Sequence, residues 1–253
     1  MKTFPIGVQP YTVREALRAD YTGTLRRLAE IGYKGIELGL PPEGITVAEQ
    51  KTLLKSLGLH VVSAHAGFDT LSFDAEAIMD YLDEVEGGRH IAISLKFADK
   101  EDVLRKAAEC NRIGARMKER GFKFLYHNHD WEFMTFDGKY AMDWFLEATD
   151  PAFVGMELDT YWAAKADVSP ADYLRTRLQG RCPLLHIKDM EAGEQRFFAE
   201  VGEGVLDFKD IAAAAAEAGV EWMIVEQDES RRDPFDSLTI SYRNLEAMGL
   251  LKR

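Results

Sequence analysis

The sequence is poor in positive charge, and this limits the partners that the protein can have. It holds 31 Lys and Arg residues against 43 Asp and Glu residues, a formal net charge of −12 over 253 residues. An acidic excess favours solubility and opposes binding to a polyanion such as DNA. We therefore expect no nucleic-acid partner.

Cysteines and long apolar runs are also scarce. The two cysteines, Cys110 and Cys182, show no CxxC or CxxH spacing, so neither a disulfide framework nor a zinc-finger cluster is indicated. No run of 18 apolar residues occurs, and residues 1–10 lack a basic segment followed by an apolar core. These absences disfavour membrane insertion and export, and we expect a cytoplasmic protein.

What the sequence does contain is a regular alternation of strands and helices. Eight short runs rich in β-branched and aromatic residues are each followed by a stretch with helical spacing. The predicted strands are 4–9, 35–40, 60–65, 90–96, 123–129, 154–161, 183–189 and 222–228, and the predicted helices are 22–31, 46–57, 74–86, 101–120, 140–148, 169–178, 207–218 and 235–248. Eight such units in about 250 residues predict a (β/α)8 TIM barrel, with residues 1–253 as one domain. An open Rossmann sheet is disfavoured because no glycine-rich phosphate turn follows the first strand.

Glycines and small residues support this assignment. Gly32, Gly58, Gly121 and Gly219 each follow a predicted helix and precede a strand, where a left-handed helix end favours glycine. Cys110 shares the apolar stripe of the fourth predicted helix. We interpret it as a core residue rather than a nucleophile.

Polar residues are concentrated where the predicted strands end. Catalytic groups of a TIM barrel come from the carboxyl ends of its strands. The polar residues in these positions are Glu37, His65, Lys96, His127, His129, Glu157, Asp159, His186, Lys188, Glu226 and Asp228. His60 and His90 begin their strands, at the opposite rim, and we interpret both as structural.

Four of these residues are candidate metal ligands. Counted from the start of each strand, His127, Asp159, His186 and Glu226 lie at similar depth on four consecutive strands. A single inward histidine or acid is more often a hydrogen-bonded core residue, but four at one level favour ligation. Two imidazoles and two carboxylates suit one divalent ion such as Mn²⁺, Zn²⁺, Co²⁺ or Fe²⁺. Glu157 and Asp228 are expected to orient a ligand or a lysine.

Other polar and aromatic residues near the strand ends have two interpretations. His65 and Lys96 either contact substrate or are structural, and Glu37 is either a hydroxyl acceptor or a salt-bridge partner. Trp131 and Trp162 follow the fifth and sixth strands. They form either an apolar wall for a sugar ring or a cover over the barrel mouth.

Several motifs resemble those of one family. YHNHDWEF at 126–133, ELDTYW at 157–162, LHIKD at 185–189, VGEGVLDF at 201–208 and VEQD at 225–228, with the opening GVQPYTVRE, occur in order along nearly the whole chain. They resemble the xylose-isomerase-like sugar phosphate isomerase/epimerase superfamily of TIM barrels. The resemblance implies one divalent metal ion, for which Mg²⁺ is a further candidate. It implies that Asp159, His186 and Glu226 are among the ligands of this ion. It also implies a small sugar or keto-sugar substrate, and it allows a homo-oligomer.

One position departs from the pattern of the ketose epimerases in this superfamily. They usually carry a metal-binding glutamate on strand five, whereas this chain has His127 there and Glu132 farther along. A proton shuttle between two glutamates is therefore not indicated. The YHNH motif resembles more closely the branch that handles inosose-like or 3-keto-sugar substrates.

The function predicted from these residues is isomerisation or epimerisation by proton removal next to a carbonyl. Glu226 would be the base, His129 or Glu132 would act on the opposite side, and Lys188 would hold an oxygen. Departure of a β-leaving group would instead make the enzyme a dehydratase or lyase. An endonuclease would need a basic groove, and a non-catalytic binding barrel would hold no metal.

Overall fold

Eight parallel strands close into a barrel, as the alternation in the sequence predicts. The structure is a computed structural model that describes residues 2–252. Each strand pairs with the next along the chain, and the last pairs with the first, with Ile6 opposite Met223. The strands are β1 Ile6–Val8, β2 Gly35–Glu37, β3 His60–Phe68, β4 His90–Ser94, β5 Lys123–His127, β6 Val154–Asp159, β7 Leu184–Ile187 and β8 Trp222–Val225. The chain is thus a (β/α)8 TIM barrel.

Ten α-helices occur within residues 2–252. They are α1 Arg14–Ala19, α2 Tyr21–Ile31, α3 Val47–Leu57, α4 Ala75–Glu84, α5 Lys100–Glu119, α6 Ala141–Ala148, α7 Thr160–Lys165, α8 Pro170–Arg177, α9 Phe208–Ala218 and α10 Pro234–Ala247. Helix α3 shows why the sequence forms them: Thr46 and Glu49 make a reciprocal capping box at its start. Gly58 ends it at a φ of 66°, the left-handed conformation that was expected there.

Seven of the eight strands, all but β3, end before their predicted ends. At the ends of β6 and β5, polar side chains bond to the turning backbone. Strand β6 was expected to reach residue 161, but Asp159 accepts a hydrogen bond from the backbone N of Trp162 at 3.0 Å and thereby caps α7. Strand β5 was expected to reach residue 129 but ends at His127. The next residue, Asn128, uses its side chain to accept the backbone N–H of Asp159 at 2.9 Å.

Strand β3 is longer than predicted, because it continues beyond residue 65 to Phe68. Its pairing with β4 shifts by one residue between His65 and Gly67, the signature of a bulge that bends a strand. Helix α1 and the 3-10 turn before it, Pro10–Val13, were not predicted.

The inside of the barrel has an apolar layer below a polar one. The apolar layer contains Val62, Ala92, Leu125, Leu184 and Ile224, with Trp222 packed against it. Four of these residues lie two positions before a polar residue: Ala92 before Ser94, Leu125 before His127, Leu184 before His186 and Ile224 before Glu226. Residues two apart on a strand face the same side. The apolar layer therefore forms the floor beneath the polar strand ends.

A larger core fills the space between the strands and the surrounding helices. Cys110 lies in it, fully buried on α5, which confirms its interpretation as a core residue. His60 and His90 begin β3 and β4, at the rim opposite the polar strand ends, and the His60 ring stacks on Trp222 at 6.1 Å. Among the described residues, no helix combines the length and apolarity that crossing a bilayer requires.

Candidate functional site

The carboxyl ends of the strands surround a cavity of about 440 Å³. This is the end of the barrel at which TIM-barrel active sites lie. The residues that line it are Gln9, Tyr11, His65, Phe68, Ser94, His127, His129, His186, Lys188, Glu226 and Asp228. Most of the polar residues that the sequence places at the strand ends therefore line this cavity.

Four buried side chains from β5 to β8 and their ends converge beside this cavity. His127, Asp159, His186 and Glu226 each offer one ligand atom, and these four atoms all lie within 4.8 Å of one another. In the sheet, Asp159 is the register partner of His186, and His127 is the register partner of Glu157. These are the four residues that the depth count selected.

Glu157 lies between the two histidines. Its Oε2 atom is 3.1 Å from His127 Nδ1 and 3.4 Å from His186 Nε2. A histidine that donates one ring N–H to a carboxylate keeps its other nitrogen free as an acceptor. On His127 that other nitrogen, Nε2, lies 3.8 Å from Asp159 Oδ2. Glu157 thus orients His127 toward the centre of the cluster.

Lys188 places a positive charge among the carboxylates. Its Nζ atom lies 2.6 Å from Glu226 Oε2 and 3.2 Å from Asp159 Oδ2, and it also contacts Asp228 Oδ1. Burial alone would lower the pKa of Lys188, but Asp159, Glu226 and Asp228 outweigh burial and raise that pKa well above its ordinary value. Lys188 is therefore a fixed ammonium group at the cavity wall.

Burial sets the protonation of two of the four clustered side chains. It lowers the pKa of His127 well below the ordinary value, with help from His186 and His65, so the ring is neutral at pH 7. It raises the pKa of Asp159 to about 6, although Lys188 opposes this shift. A neutral imidazole and a carboxylate ionised at pH 7 are the forms that bind metal.

The cluster fits a divalent metal ion. His186 Nε2 is buried and makes no hydrogen bond, and Asp159 Oδ2 is buried with only the ion pair to Lys188 at 3.2 Å, whereas buried polar atoms usually have a hydrogen-bond partner. The two carboxylates balance the charge of one divalent cation, and a mixed nitrogen and oxygen set suits first-row transition ions. Two further groups that could hold an ion, which add Glu37, His65 and Glu157, share residues with the first. They belong to one connected network.

The loop after β5 carries His129, Trp131 and Glu132. His129 lines the cavity and stacks on Trp131, with ring centroids 4.1 Å apart. Glu132 is fully buried, and its carboxylate accepts hydrogen bonds from Tyr126 Oη at 2.7 Å and His129 N at 2.8 Å. It does not line the cavity. This position gives Glu132 the role of holding the loop rather than moving a proton, contrary to its expected place beside the substrate.

The other expected substrate contacts lie at different heights. His65 lines the cavity, and its ring centroid is 5.5 Å from that of His127. Glu37 is buried deeper, where its Oε2 accepts the Ser63 hydroxyl at 2.6 Å. Lys96 is exposed at the rim.

The aromatic residues form one wall at the barrel mouth. The Trp162 ring is 5.3 Å from that of His129 and 6.5 Å from that of Trp131. The Lys96 ammonium lies 5.5 Å from the Trp131 ring. Trp131 and Trp162 are thus adjacent, but neither is among the residues that line the cavity.

The chain matches one family over most of its length. Residues 25–247 match the family described as the xylose isomerase-like TIM barrel. The chain belongs to this family. The resemblance inferred from the motifs is thereby confirmed.

Individual relatives agree with this assignment. Inosose dehydratase of Lacticaseibacillus casei is 28% identical, covering 56% of this chain and 53% of the relative. The chain spans about half the length of the curated relatives it matches. A solved structure of a sugar phosphate isomerase/epimerase from Parabacteroides distasonis is 25% identical, with a TM-score of 0.83 over 100% of this chain and 96% of that chain. IolI protein, solved with a bound zinc atom, shares the fold at 12% identity. Its TM-score is 0.76, covering 99% of this chain and 100% of that chain.

Four cavity residues were not singled out from the sequence. Gln9, Tyr11, Phe68 and Ser94 all line the cavity. Gln9 directly follows β1, so the strand-end rule that found the other residues also applies to it. Ser94 ends β4, two residues before Lys96, which was expected at that position. Phe68 was missed because the bulged extension of β3 leaves no periodic signal in the sequence.

Proposed function

We propose that this protein is a divalent-metal-dependent isomerase or epimerase of a small sugar or keto-sugar. The observation that carries the proposal is the convergence of His127, Asp159, His186 and Glu226 beside the cavity. The names of its relatives support a sugar-modifying activity, because they include a sugar phosphate isomerase/epimerase and inosose dehydratases. The zinc atom bound by IolI supports the use of a metal.

The four clustered side chains would hold one Mn, Zn, Co, Fe or Mg ion. Such an ion would supply Lewis acidity toward a substrate carbonyl and so make the neighbouring C–H bond more acidic. His127 and His186 would supply nitrogen, and Asp159 and Glu226 would supply oxygen. Glu157 would keep the His127 ring in place through its contact with His127 Nδ1.

Three side chains at the cavity wall would handle protons and oxygens. Glu226 lines the cavity and directly follows β8, so its carboxylate can accept a proton from the carbon next to the carbonyl. Lys188, beside Glu226, can donate a hydrogen bond to a substrate oxygen. His129 also lines the cavity, and its Nδ1 makes no hydrogen bond. Burial lowers the pKa of His129 to about 2, so a proton that it returns from another side of the substrate would come from the N–H of a neutral ring.

A dehydratase or lyase is the second candidate function. It is favoured by the inosose dehydratases among the relatives. The first step would be the same proton removal by Glu226, and loss of a leaving group from the next carbon would then replace reprotonation. The nature of the substrate decides between the two outcomes.

The test is solvent exchange in Glu226→Gln. Glutamine keeps the size of glutamate and one oxygen but cannot take a proton at neutral pH. Wild type incubated with a reactive keto-sugar or inosose in D₂O should incorporate deuterium next to the carbonyl, whereas metal-loaded Glu226→Gln should not. Its turnover should fall by roughly 10²–10⁴-fold, the usual contribution of a positioned base.

Metal analysis of the same sample provides the control. Glu226→Gln that still binds metal but exchanges deuterium as fast as wild type would assign the base to another residue. Wild type that binds no metal and turns over no sugar would instead favour a non-catalytic barrel.

A further inference from the structure

A second cavity adjoins the first at the barrel mouth. It has a volume of about 390 Å³ and lies where β1 and β2 end. Gln9, Tyr11 and His65 line both cavities. The two spaces are therefore parts of one groove that leads from the clustered side chains to the rim.

Part of the wall of the second cavity is apolar and exposed. Tyr11, Leu40 and Pro42 line it as exposed residues, and the buried Leu38 lies beside them. Six large hydrophobic residues of the described chain are strongly exposed, and Tyr11, Leu40 and Phe68 all line one of the two cavities. Clustering of exposed apolar side chains in a concave site marks a surface that a ligand covers.

The Tyr11 ring is held in place from behind. The Arg14 guanidinium lies 4.2 Å from the centroid of this ring. Arg14 itself is fixed, because its Nη1 donates to the backbone oxygens of Tyr11 and Asp228, both at 2.9 Å. Tyr11 is thus a firm flat surface between the two cavities, and flat surfaces of this kind suit the face of another ring.

We infer that the second cavity binds a ring joined to the reacting sugar, so that the substrate is a glycoside rather than a free monosaccharide. The inference rests on the proposed function, which places the reacting sugar in the first cavity. Each cavity has a volume within the roughly 300–1,000 Å³ range of small-molecule sites, so each has room for a ring. A molecule held in the first cavity reaches the second past Tyr11.

The ring in the second cavity has an apolar face and few hydrogen-bond partners. An aromatic aglycone and a second sugar both have such a face. The lining also contains the polar side chains of Gln9, Arg14, Arg18, Glu37 and His65. Glu37 accepts hydrogen bonds from Gln9 and Ser63, Arg14 donates to two backbone oxygens, and Arg18 pairs with Glu15 at 2.7 Å. Because most of these polar groups already have partners, the wall offers mainly its apolar surface to a ligand.

Gly39 offers a way to close the second cavity without disturbing the first. It lines the second cavity, and a Cβ atom added to it meets no heavy atom within 4 Å. Its φ lies outside the left-handed region, so a side chain adds no backbone strain. Gly39→Leu should place a side chain in the cavity. Leu40→Ala should remove part of its wall.

The experiment compares three unreactive probes by calorimetry on metal-loaded protein: methyl β-glucoside, phenyl β-glucoside and cellobiose. At least one of the two larger probes should bind about tenfold more tightly than the methyl glucoside, because it buries one more ring face. If only phenyl glucoside binds more tightly than methyl glucoside, the second ring is an aromatic aglycone. If only cellobiose does, the second ring is a sugar. Gly39→Leu and Leu40→Ala should each reduce this preference. Leu104→Ala, which changes another exposed leucine, on α5, should retain it.

Equal affinity for all three probes, no binding of any probe, or a preference that survives Gly39→Leu would overturn the inference. Its failure is distinguishable from failure of the proposed function, which is tested by deuterium exchange. Exchange with a monosaccharide and no preference among probes would reject the second cavity alone. A preference that Gly39→Leu removes, in a protein that shows no exchange, would support the cavity and reject the isomerase.

Discussion

His127 and His129 are two residues apart on the chain but have different surroundings. His127 ends β5, where Glu157 contacts its Nδ1. His129 lies in the following loop, where its ring stacks on Trp131. Burial lowers the pKa of His129 to about 2, so this ring is also neutral at pH 7. Only His127 has a carboxylate that orients it toward the other three clustered side chains.

We predict that His127→Ala loses metal and that His129→Ala keeps it. His127→Ala removes one of the four proposed ligands, whereas His129→Ala removes only a residue that lines the cavity. Elemental analysis of the two purified variants measures the difference, with about one ion per chain expected in wild type and in His129→Ala. If His129→Ala loses the metal and His127→Ala keeps it, His129 is the ligand and the site lies one layer higher in the barrel.

The sequence could identify ionisable residues but not the direction in which each one points. Strand-end position and depth were enough to select His127, Asp159, His186 and Glu226. They were not enough for Glu132, because its location depends on a 3-10 turn, Trp131–Phe133, that buries it below the loop. Hydrogen bonds from Tyr126 and His129 then keep its carboxylate there. Contacts of this kind leave no periodic signal.

At the scale of elements, the loop after β7 depends on one buried carboxylate. Asp189 is fully buried, and each of its oxygens accepts two backbone N–H groups. The donors are Met190 and Leu206 for Oδ1, and Gly202 and Gly204 for Oδ2, at 2.8 to 3.1 Å. Asp189 directly follows Lys188 in the chain. Its carboxylate therefore holds the loop that contains the VGEGVLDF motif.

We predict that Asp189→Asn destabilises the protein by about 3 kcal/mol. The amide nitrogen of asparagine would face two backbone N–H donors, so two hydrogen bonds are lost and a buried donor is left without an acceptor. Chemical denaturation measures the change in the free energy of unfolding. Asp207→Asn, at the exposed start of α9, is the comparison and should cost less, about 1 kcal/mol or below. Equal losses in both variants would mean that the four N–H contacts of Asp189 contribute little.

Most strands and helices could be predicted because their periodicity is local. Two of the misplaced strand ends, those of β5 and β6, lie where a polar side chain bonds to the backbone, as Asp159 does at the start of α7. Helix α1 was missed because it has only six residues, none of them buried. A short exposed helix shows no apolar stripe from which to infer it.

At the scale of the whole molecule, the barrel concentrates charge that it must neutralise. Glu157, Asp159 and Glu226 are buried near one another around His127 and His186. Buried charges without partners cost several kcal/mol. A bound divalent ion would therefore stabilise the folded state, because the unfolded chain does not assemble the site.

We predict that a suitable metal at about 100 times its dissociation constant raises the melting temperature by about 5–10 °C over protein treated with a chelator. Asp159→Ala should show no such rise, because it lacks one of the proposed ligands. Scanning calorimetry with and without Mn²⁺ or Zn²⁺ measures both proteins. A rise in Asp159→Ala as large as in wild type would show that the stabilising ion binds elsewhere.

The first and last strands of the barrel are neighbours, with Val8 opposite Val225. During synthesis the ribosome releases β1 long before β8, so one edge of the growing sheet stays unpaired until the end. Glu226 directly follows β8, so the step that closes the sheet also delivers the last of the four proposed ligands. A nascent chain therefore cannot assemble the full site early. Under the proposed function, metal loading would therefore mark a chain whose barrel has closed.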